Sequence, residues 1–150
     1  MSQLFQLSFY LAAPFWALMI LAPGWSWTRR IIGSPWIAAP VSVLYLAIAI
    51  PRLADLLPVV TQPTLAGLQE AMADGGMTTL VWAHIIAFDL FVGRWIYLRG
   101  RERRIHPLVT SPILLVTILL APIGFLVFLA VRATATSTKE ESPAHVGSRP

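Results

Sequence analysis

The sequence predicts an all-α, multi-pass membrane protein with four transmembrane helices, on the basis of its composition and the length of its apolar segments. Of its 150 residues, 57% are hydrophobic and 12% are charged, whereas about a quarter of the residues in a soluble domain are charged. Roughly 20 apolar residues in a helix cross a bilayer core about 30 Å thick. Four segments meet this requirement: Leu4 to Ala22, Ile31 to Pro51, Thr78 to Leu98 and Leu108 to Val131.

The first predicted span begins almost at Met1 and is interpreted as a retained membrane helix. No basic residues precede it, and no small-residue cleavage site is obvious at its end, so it does not have the pattern of a cleaved signal peptide. Prolines inside or beside the first, second and fourth spans are interpreted as packing features, because membrane helices tolerate proline where neighbouring groups satisfy the freed carbonyls.

A short interfacial helix is predicted between the second and third spans, with an ordinary structured loop as the alternative. Pro63 suits a first helical turn, and Gly75 and Gly76 are predicted to end the helix. Arg52 and Asp55 are predicted to pair at the membrane edge. The helix would rest on the bilayer with an apolar face formed by Leu65, Leu68 and Met72.

The chain divides into a membrane domain, residues 1–132, and a polar tail, residues 133–150, that is predicted to be disordered because it buries too little apolar surface. Basic residues cluster in the first and third loops. This bias predicts that both loops are cytoplasmic, in the cytoplasmic membrane if the host is bacterial, with the two termini on the far side. The loop arginines are Arg29, Arg30, Arg99, Arg101, Arg103 and Arg104.

Several classes of chemistry are excluded or unsupported. The chain has no cysteine, which removes disulfides, thiol catalysis and cysteine metal sites. Its three histidines, at positions 84, 106 and 145, are too scattered to predict a metal site, and there is no phosphate-binding glycine loop. No cofactor is predicted. The small net charge of +4 fits attraction to anionic lipid better than nucleic-acid binding.

The third span is unusual because it contains His84, Asp89 and Arg94. An aspartate or arginine at the centre of a span costs about 2.5–3.5 kcal/mol on insertion scales and usually has a partner or a function. Successive members of this set are about 140° apart on a helix, so each is expected to face a different neighbour or a shared polar cavity. Structural alternatives are a buried neutral histidine, an inter-helix hydrogen bond and an arginine that snorkels to the headgroups.

The stretch "WAHIIAFDLFVGRWI" resembles the abscisic-acid-deficient-four-like family, which includes plant neoxanthin synthase. The first and last spans are also similar, over about residues 1–132. Three departures are Arg99 where the family often has an aspartate, Ala121-Pro122 in place of Gly-Pro, and Ile105-His106-Pro107 in place of Ile-Pro-His. The matching positions of the central motif are Trp82, His84, Phe88, Asp89, Leu90, Phe91, Gly93, Trp95 and Ile96.

The resemblance implies an isomerase of epoxycarotenoids that needs no cofactor. Opening an epoxide to an allenic alcohol requires an acid at oxygen and a base at carbon. Asp89 is predicted as the acid, His84 as the base and Arg94 as the group that orients Asp89 or stabilises the developing alkoxide. The polyene is predicted to lie against aromatic side chains, namely Trp82, Phe88, Phe91 and Trp95.

Other functions stay open at this point. The chain could be a non-catalytic carotenoid- or quinone-binding module, or a scaffold for other membrane enzymes, with its polar residues acting only as inter-helix contacts. A small transporter or proton relay is less favoured, because no second charged span completes a path. Expected partners are the lipid bilayer, a hydrophobic ligand such as a carotenoid, and a second copy of the chain in a homodimer with the ligand between protomers.

Overall fold

The computed structural model describes residues 1–137, with side chains up to residue 134, and this part of the chain is helical with short connections. Two 3₁₀ turns, Pro35–Ala38 and Ile50–Arg52, flank the third helix. The α-helices are α1 (Ser2–Leu21), α2 (Ser26–Gly33), α3 (Ala39–Ala49), α4 (Leu53–Thr61), α5 (Leu65–Ala73), α6 (Gly75–Glu102), α7 (Pro107–Leu119) and α8 (Ala121–Ser137).

Three helical segments of the described chain are long and apolar enough to cross a membrane: Ser2–Leu21, Pro35–Thr61 and Gly75–Glu102. The second is a composite of both 3₁₀ turns, α3 and α4, and its bounds correct the predicted span from Ile31 to Pro51. Ser34 is extended, with φ −78° and ψ 132°, as expected for a residue before proline. This break leaves Ile31 in the separate helix α2. At the other end, Pro51 lies within a 3₁₀ turn, and the helical segment continues into α4.

An extra helix does lie between the second and third spans, but its ends differ from the prediction. Thr64 caps α5 by accepting a hydrogen bond of 3.1 Å from the Gly67 N–H, so Pro63 lies outside the helix. Gly75 and Gly76 begin α6 and do not terminate α5. The reason is Asp74, whose carboxylate accepts the first free N–H groups of α6 and so determines where that helix starts.

The predicted pair between Arg52 and Asp55 is wrong, because Arg52 bonds to Asp74 at 2.6 Å. This ion pair joins the end of the second span to the start of α6. The guanidinium lies against the backbone of Gly76, where an added Cβ would be 2.6 Å from the arginine Nε. A side chain at position 76 would therefore displace the Arg52 guanidinium from this position.

The Asp74 cap predicts a loss of stability in acid. Hydrogen bonding from the Met77 N–H is the largest cause that lowers the pKa of the Asp74 carboxyl below its ordinary value of 3.8, and the Arg52 charge acts in the same direction. The stability that the ionised Asp74 carboxylate provides is fully present above the ordinary pKa and is lost as pH falls through the lowered pKa of the folded state. Thermal melting in detergent as a function of pH should show this loss. Asp74→Asn should flatten that part of the profile; an unchanged profile would contradict the assignment.

The fourth predicted span is not one continuous helix, since it folds into a hairpin of α7 and α8. Leu120 leaves the helical conformation, with φ −146° and ψ 71°, and Pro122 follows in the first turn of α8. The two helices then pack closely, because an added Cβ at Gly124 would lie 2.7 Å from the Thr117 backbone. At 13 residues, α7 is about 20 Å long, too short to cross a bilayer core.

The hairpin returns to the end of the bundle from which it starts. In α7, Thr110 lies beside Gly100, near the end of α6, and the Ser111 hydroxyl donates to the Ile20 carbonyl. In α8, the ring centroid of Phe128 lies 5.6 Å from that of Trp95. Helix α8 therefore ends beside the arginine-rich loops, whereas a single fourth span would have ended at the other end of the bundle. Helix α8 continues to Ser137, and the rest of the predicted tail lies outside the described residues.

Candidate functional site

Helix α6 is the central element of the bundle and positions every predicted site residue. Its inner face has small and apolar side chains, including Ala83, Ile86 and Leu90, which are buried. Gly93 permits close packing, because a Cβ there would lie 2.7 Å from the Trp16 ring of α1. The remaining faces of α6 are consequently turned toward α3 on one side, toward the hairpin on the other, and partly outward.

Asp89 lies near the middle of α6 and lines a groove of about 300 Å³ against the start of α8. Within residues 1–134, no side chain or backbone group forms a hydrogen bond or ion pair with its carboxylate. The carboxylate is partly exposed. The other residues that line the groove are apolar: Val92, Ala121, Pro122 and Phe125.

His84 is exposed and lies on a different side of α6, against α3. Its ring stacks on Phe88 with centroids 4.7 Å apart and is tilted against Tyr45 at 5.7 Å. Phe88 and Phe91 border a second groove of about 280 Å³, whose other lining residues are Ala38, Ser42 and Ala87. The predicted aromatic surface is thus present for these two phenylalanines, but the Asp89 carboxylate does not line it.

Arg94 is used within the fold. Its Nε donates to the Ile32 carbonyl at 2.8 Å, and its Nη2 donates to the Gly33 carbonyl at 2.6 Å. These carbonyls are at the C-terminal end of α2, where unpaired acceptors and the helix dipole favour a cation. Arg94 therefore anchors α2 against α6 and does not reach Asp89.

Replacing Arg94 with glutamine is expected to weaken this anchor. A hydrogen bond to a charged group contributes about 1.5–3 kcal/mol to stability. Because both bonds come from one partly buried guanidinium, we expect the free energy of unfolding to fall by an amount within that range and not by twice as much. Arg94→Lys retains the charge but not the two-point geometry, and should give an intermediate melting temperature in detergent. Equal melting of wild type and Arg94→Gln would show that α2 is held by other contacts.

Trp82 and Trp95 occupy two further environments. Trp82 stacks on Phe5 of α1 with centroids 4.9 Å apart, and its indole Nε1 is buried with no hydrogen-bond partner among the described residues. Trp95 contacts α8 through Phe125 and Phe128. Both tryptophans pack between helices, whereas Phe88 and Phe91 border an open groove.

The three predicted catalytic residues of α6 thus lie against three different elements, as their helical spacing predicts. His84 faces α3, Asp89 faces the hairpin and Arg94 faces α2. The described chain has no cluster of three or more potential metal ligands. Sequence reasoning missed the contribution of α8 to the Asp89 groove. The only signal for it was Ala121-Pro122, which was interpreted as part of a continuous span.

Comparison with known proteins gives one family relationship. Neither the curated proteins nor the solved structures give a match. The family model described as ABA DEFICIENT 4-like matches residues 3–128, which comprise all three long helices, α7 and the first turns of α8. This match includes both grooves and every predicted site residue. The chain therefore belongs to the ABA DEFICIENT 4-like family.

Proposed function

We propose that this protein is a membrane-embedded isomerase of epoxycarotenoids in which Asp89 is the acid. The observation that supports this most directly is the Asp89 carboxylate, which lines an apolar groove without a partner in the described chain. A carboxylate at such a position is costly to keep. A role in structure alone would be expected to provide a hydrogen-bonding partner across the interface.

A single carboxyl group is sufficient for the proposed reaction. The acid proton of Asp89 moves to the epoxide oxygen as a carbon–oxygen bond breaks, which gives the alcohol. A proton lost from the neighbouring vinylic carbon is then accepted by the Asp89 carboxylate, and the electron pair of that carbon–hydrogen bond forms the second double bond of the allene. The reaction is redox-neutral and regenerates the acid.

In this proposal the other two predicted catalytic residues have supporting roles. His84 lines the aromatic side of α6 with Phe88, and Arg94 holds α2 in place. Neither faces the Asp89 groove, so neither is assigned a proton-transfer step. The predicted three-residue site is thereby reduced to Asp89, with Val92 and Phe125 as apolar walls on α6 and α8.

The substrate is proposed to enter sideways from the bilayer. Phe88 and Phe91 are exposed, and in a membrane their outward surfaces would face lipid. A long polyene is itself dissolved in the hydrocarbon core, so a groove open to lipid binds it without passage through water. A second copy of the chain placed against this surface would enclose the ligand, which is our proposal for a homodimer.

The membrane arrangement that we propose has three spans and a hairpin that enters and leaves on one side. The arginine-rich end, formed by α2, the α6–α7 loop and the end of α8, would face the cytoplasm, in the cytoplasmic membrane if the host is bacterial, because basic residues are retained there. This replaces the four-span arrangement and places the tip of the hairpin near Asp89, at mid-depth in the bilayer.

A carotenoid- or quinone-binding module, or a scaffold for other membrane enzymes, is the alternative function. It is favoured by the groove beside Phe88 and Phe91, which is lined almost entirely by apolar groups. Such a groove can bind an apolar ligand but has no acid or base to act on it. In that case Asp89, which lines the other groove, would take no part in a reaction.

The purified protein, reconstituted in liposomes with an epoxycarotenoid, tests the two functions. The pigments are separated by chromatography before and after incubation, with protein-free liposomes as the control. A new allenic isomer formed in proportion to protein supports the isomerase. Pigment that binds but is recovered unchanged supports the binding module, and absence of both binding and conversion contradicts the isomerase and the carotenoid-binding module.

A further inference from the structure

The arginine-rich end of the bundle has a large charge that the proposed chemistry does not use. In the described chain this end has eight arginines and one carboxylate, Glu102, whereas the opposite end has Arg52 with three carboxylates, Asp55, Glu70 and Asp74. The eight arginines are Arg29, Arg30, Arg94, Arg99, Arg101, Arg103, Arg104 and Arg132.

Some of these arginines form contacts within the fold. Besides Arg94, the Arg99 guanidinium pairs with Glu102 at 2.6 Å. Arg101 donates to the Pro23 carbonyl at 2.7 Å, which joins the last turn of α6 to the loop before α2. The buried Tyr97 hydroxyl donates to the same carbonyl at 2.8 Å. These bonds bring α2 and the end of α6 together as one surface.

Helix α2 lies across this end with its apolar side inward. Thr28 and Ile32 are fully buried, whereas Trp27 is 54% exposed and Arg29 and Arg30 are exposed. The Arg30 guanidinium lies 5.7 Å from the centre of the Trp27 ring. Trp25 and Trp36 are also exposed, at 54% and 79%. Exposed tryptophans beside arginines are typical of the level of the lipid headgroups.

Arg104 provides an independent observation. It ends α6 with φ 55°, the left-handed conformation that glycine adopts without penalty and a longer side chain does not. The accompanying hydrogen bonds, from the Ile105 N–H to the Gly100 carbonyl at 2.9 Å and from the Arg104 N–H to the Arg101 carbonyl at 3.0 Å, form a regular Schellman ending. An arginine at a glycine position in an exposed loop indicates a use for its guanidinium.

We propose that the exposed arginines at this end of the bundle, Arg29 and Arg30 on α2 and Arg104 after α6, bind the phosphate headgroups of anionic phospholipids, with Trp27 beside Arg30. A guanidinium presents paired donors that match phosphate oxygens, and the tryptophan ring lies at the depth where headgroup and acyl chain meet. The site would hold an anionic lipid against the end of the bundle and so fix the depth of α2 in the membrane.

The test compares lipids retained by the full chain after extraction from liposomes made of equal parts phosphatidylglycerol and phosphatidylcholine. Wild type is expected to retain an excess of phosphatidylglycerol. Arg104→Gly should reduce the retained excess by a factor on the order of five, from the attraction between one basic residue and an anionic surface. The same variant should melt at a higher temperature, because glycine relieves the left-handed conformation. Arg104→Lys is the matched control that keeps the charge and should keep most of the excess.

Each result decides for or against the proposal. Equal retention of the two lipids by wild type would overturn it, as would an unchanged excess in Arg104→Gly. A drop in the melting temperature of Arg104→Gly would count against the proposal, because Arg104 would then stabilise the fold at this position. Inorganic phosphate added in large excess should not displace the retained lipid; displacement would show that the surface is a site for soluble phosphate.

Discussion

Asp89→Asn is expected to lower the rate of epoxycarotenoid isomerisation by about 10²–10⁴-fold, the usual contribution of a positioned acid or base. Asparagine has nearly the same shape but neither donates nor accepts the transferred proton. The groove, formed with Pro122 and Phe125 of α8, should stay intact, so pigment binding is expected to persist. The measurement is conversion per protein in liposomes, together with the amount of pigment that co-purifies.

Two controls make this result specific to Asp89. Asp55→Asn also removes a carboxylate, but at an exposed position at the far end of the second span, and it should convert substrate at the wild-type rate. Phe91→Ala changes the aromatic groove and should weaken pigment retention if the protein is a binding module that holds its ligand there. If Asp89→Asn retains bound pigment and full conversion, then Asp89 is not the acid, whatever the substrate.

The second large effect concerns topology, and it is all-or-none. The chain has no cysteine, so single cysteines can be introduced without a background and labelled with a maleimide that does not cross membranes. Thr134→Cys is expected to react from the same side as Ser26→Cys, because α8 returns to the arginine-rich end. Ala66→Cys in α5, at the opposite end, should react only from the other side.

A four-span protein would give the opposite pattern for one of these positions. If residues 108–131 crossed the bilayer once, Thr134→Cys would react together with Ala66→Cys. Inside-out and right-side-out vesicles from the same preparation provide the comparison, and each variant should first be shown to melt like the wild type. Labelling of Thr134→Cys together with Ala66→Cys would reject the hairpin in the membrane.

The parts of the fold that could be predicted from sequence are those set by local hydropathy. Long apolar segments for α1, the second span and α6 are visible because about 20 consecutive apolar residues are needed, and no distant partner changes that requirement. Helix ends were predicted less well. Gly75 and Gly76 were interpreted as a stop, although Asp74 directly before them is also a strong N-cap signal. Sequence alone does not decide whether these residues end one helix or begin the next, because the glycines fit a helix end and Asp74 fits a helix start.

The hairpin shows the same limit at a larger scale. Pro122 is compatible both with a kinked span and with the first turn of a new helix. What decides between them is the contact of Gly124 with the Thr117 backbone, which exists only when α8 folds back on α7. Hydropathy gives no sign of a pairwise contact of this kind. Four spans were therefore predicted where the described residues form three long helical segments and a hairpin.

For the candidate site, the sequence by itself determined that His84, Asp89 and Arg94 point in three directions, because helical geometry fixes 100° per residue regardless of context. The tertiary structure alone decided what each direction contains: an aromatic contact for His84, the carbonyl end of α2 for Arg94, and an apolar groove without a partner for Asp89. The physical reason is that a side chain's direction follows from its own helix, whereas its partner depends on which distant segments pack against that helix.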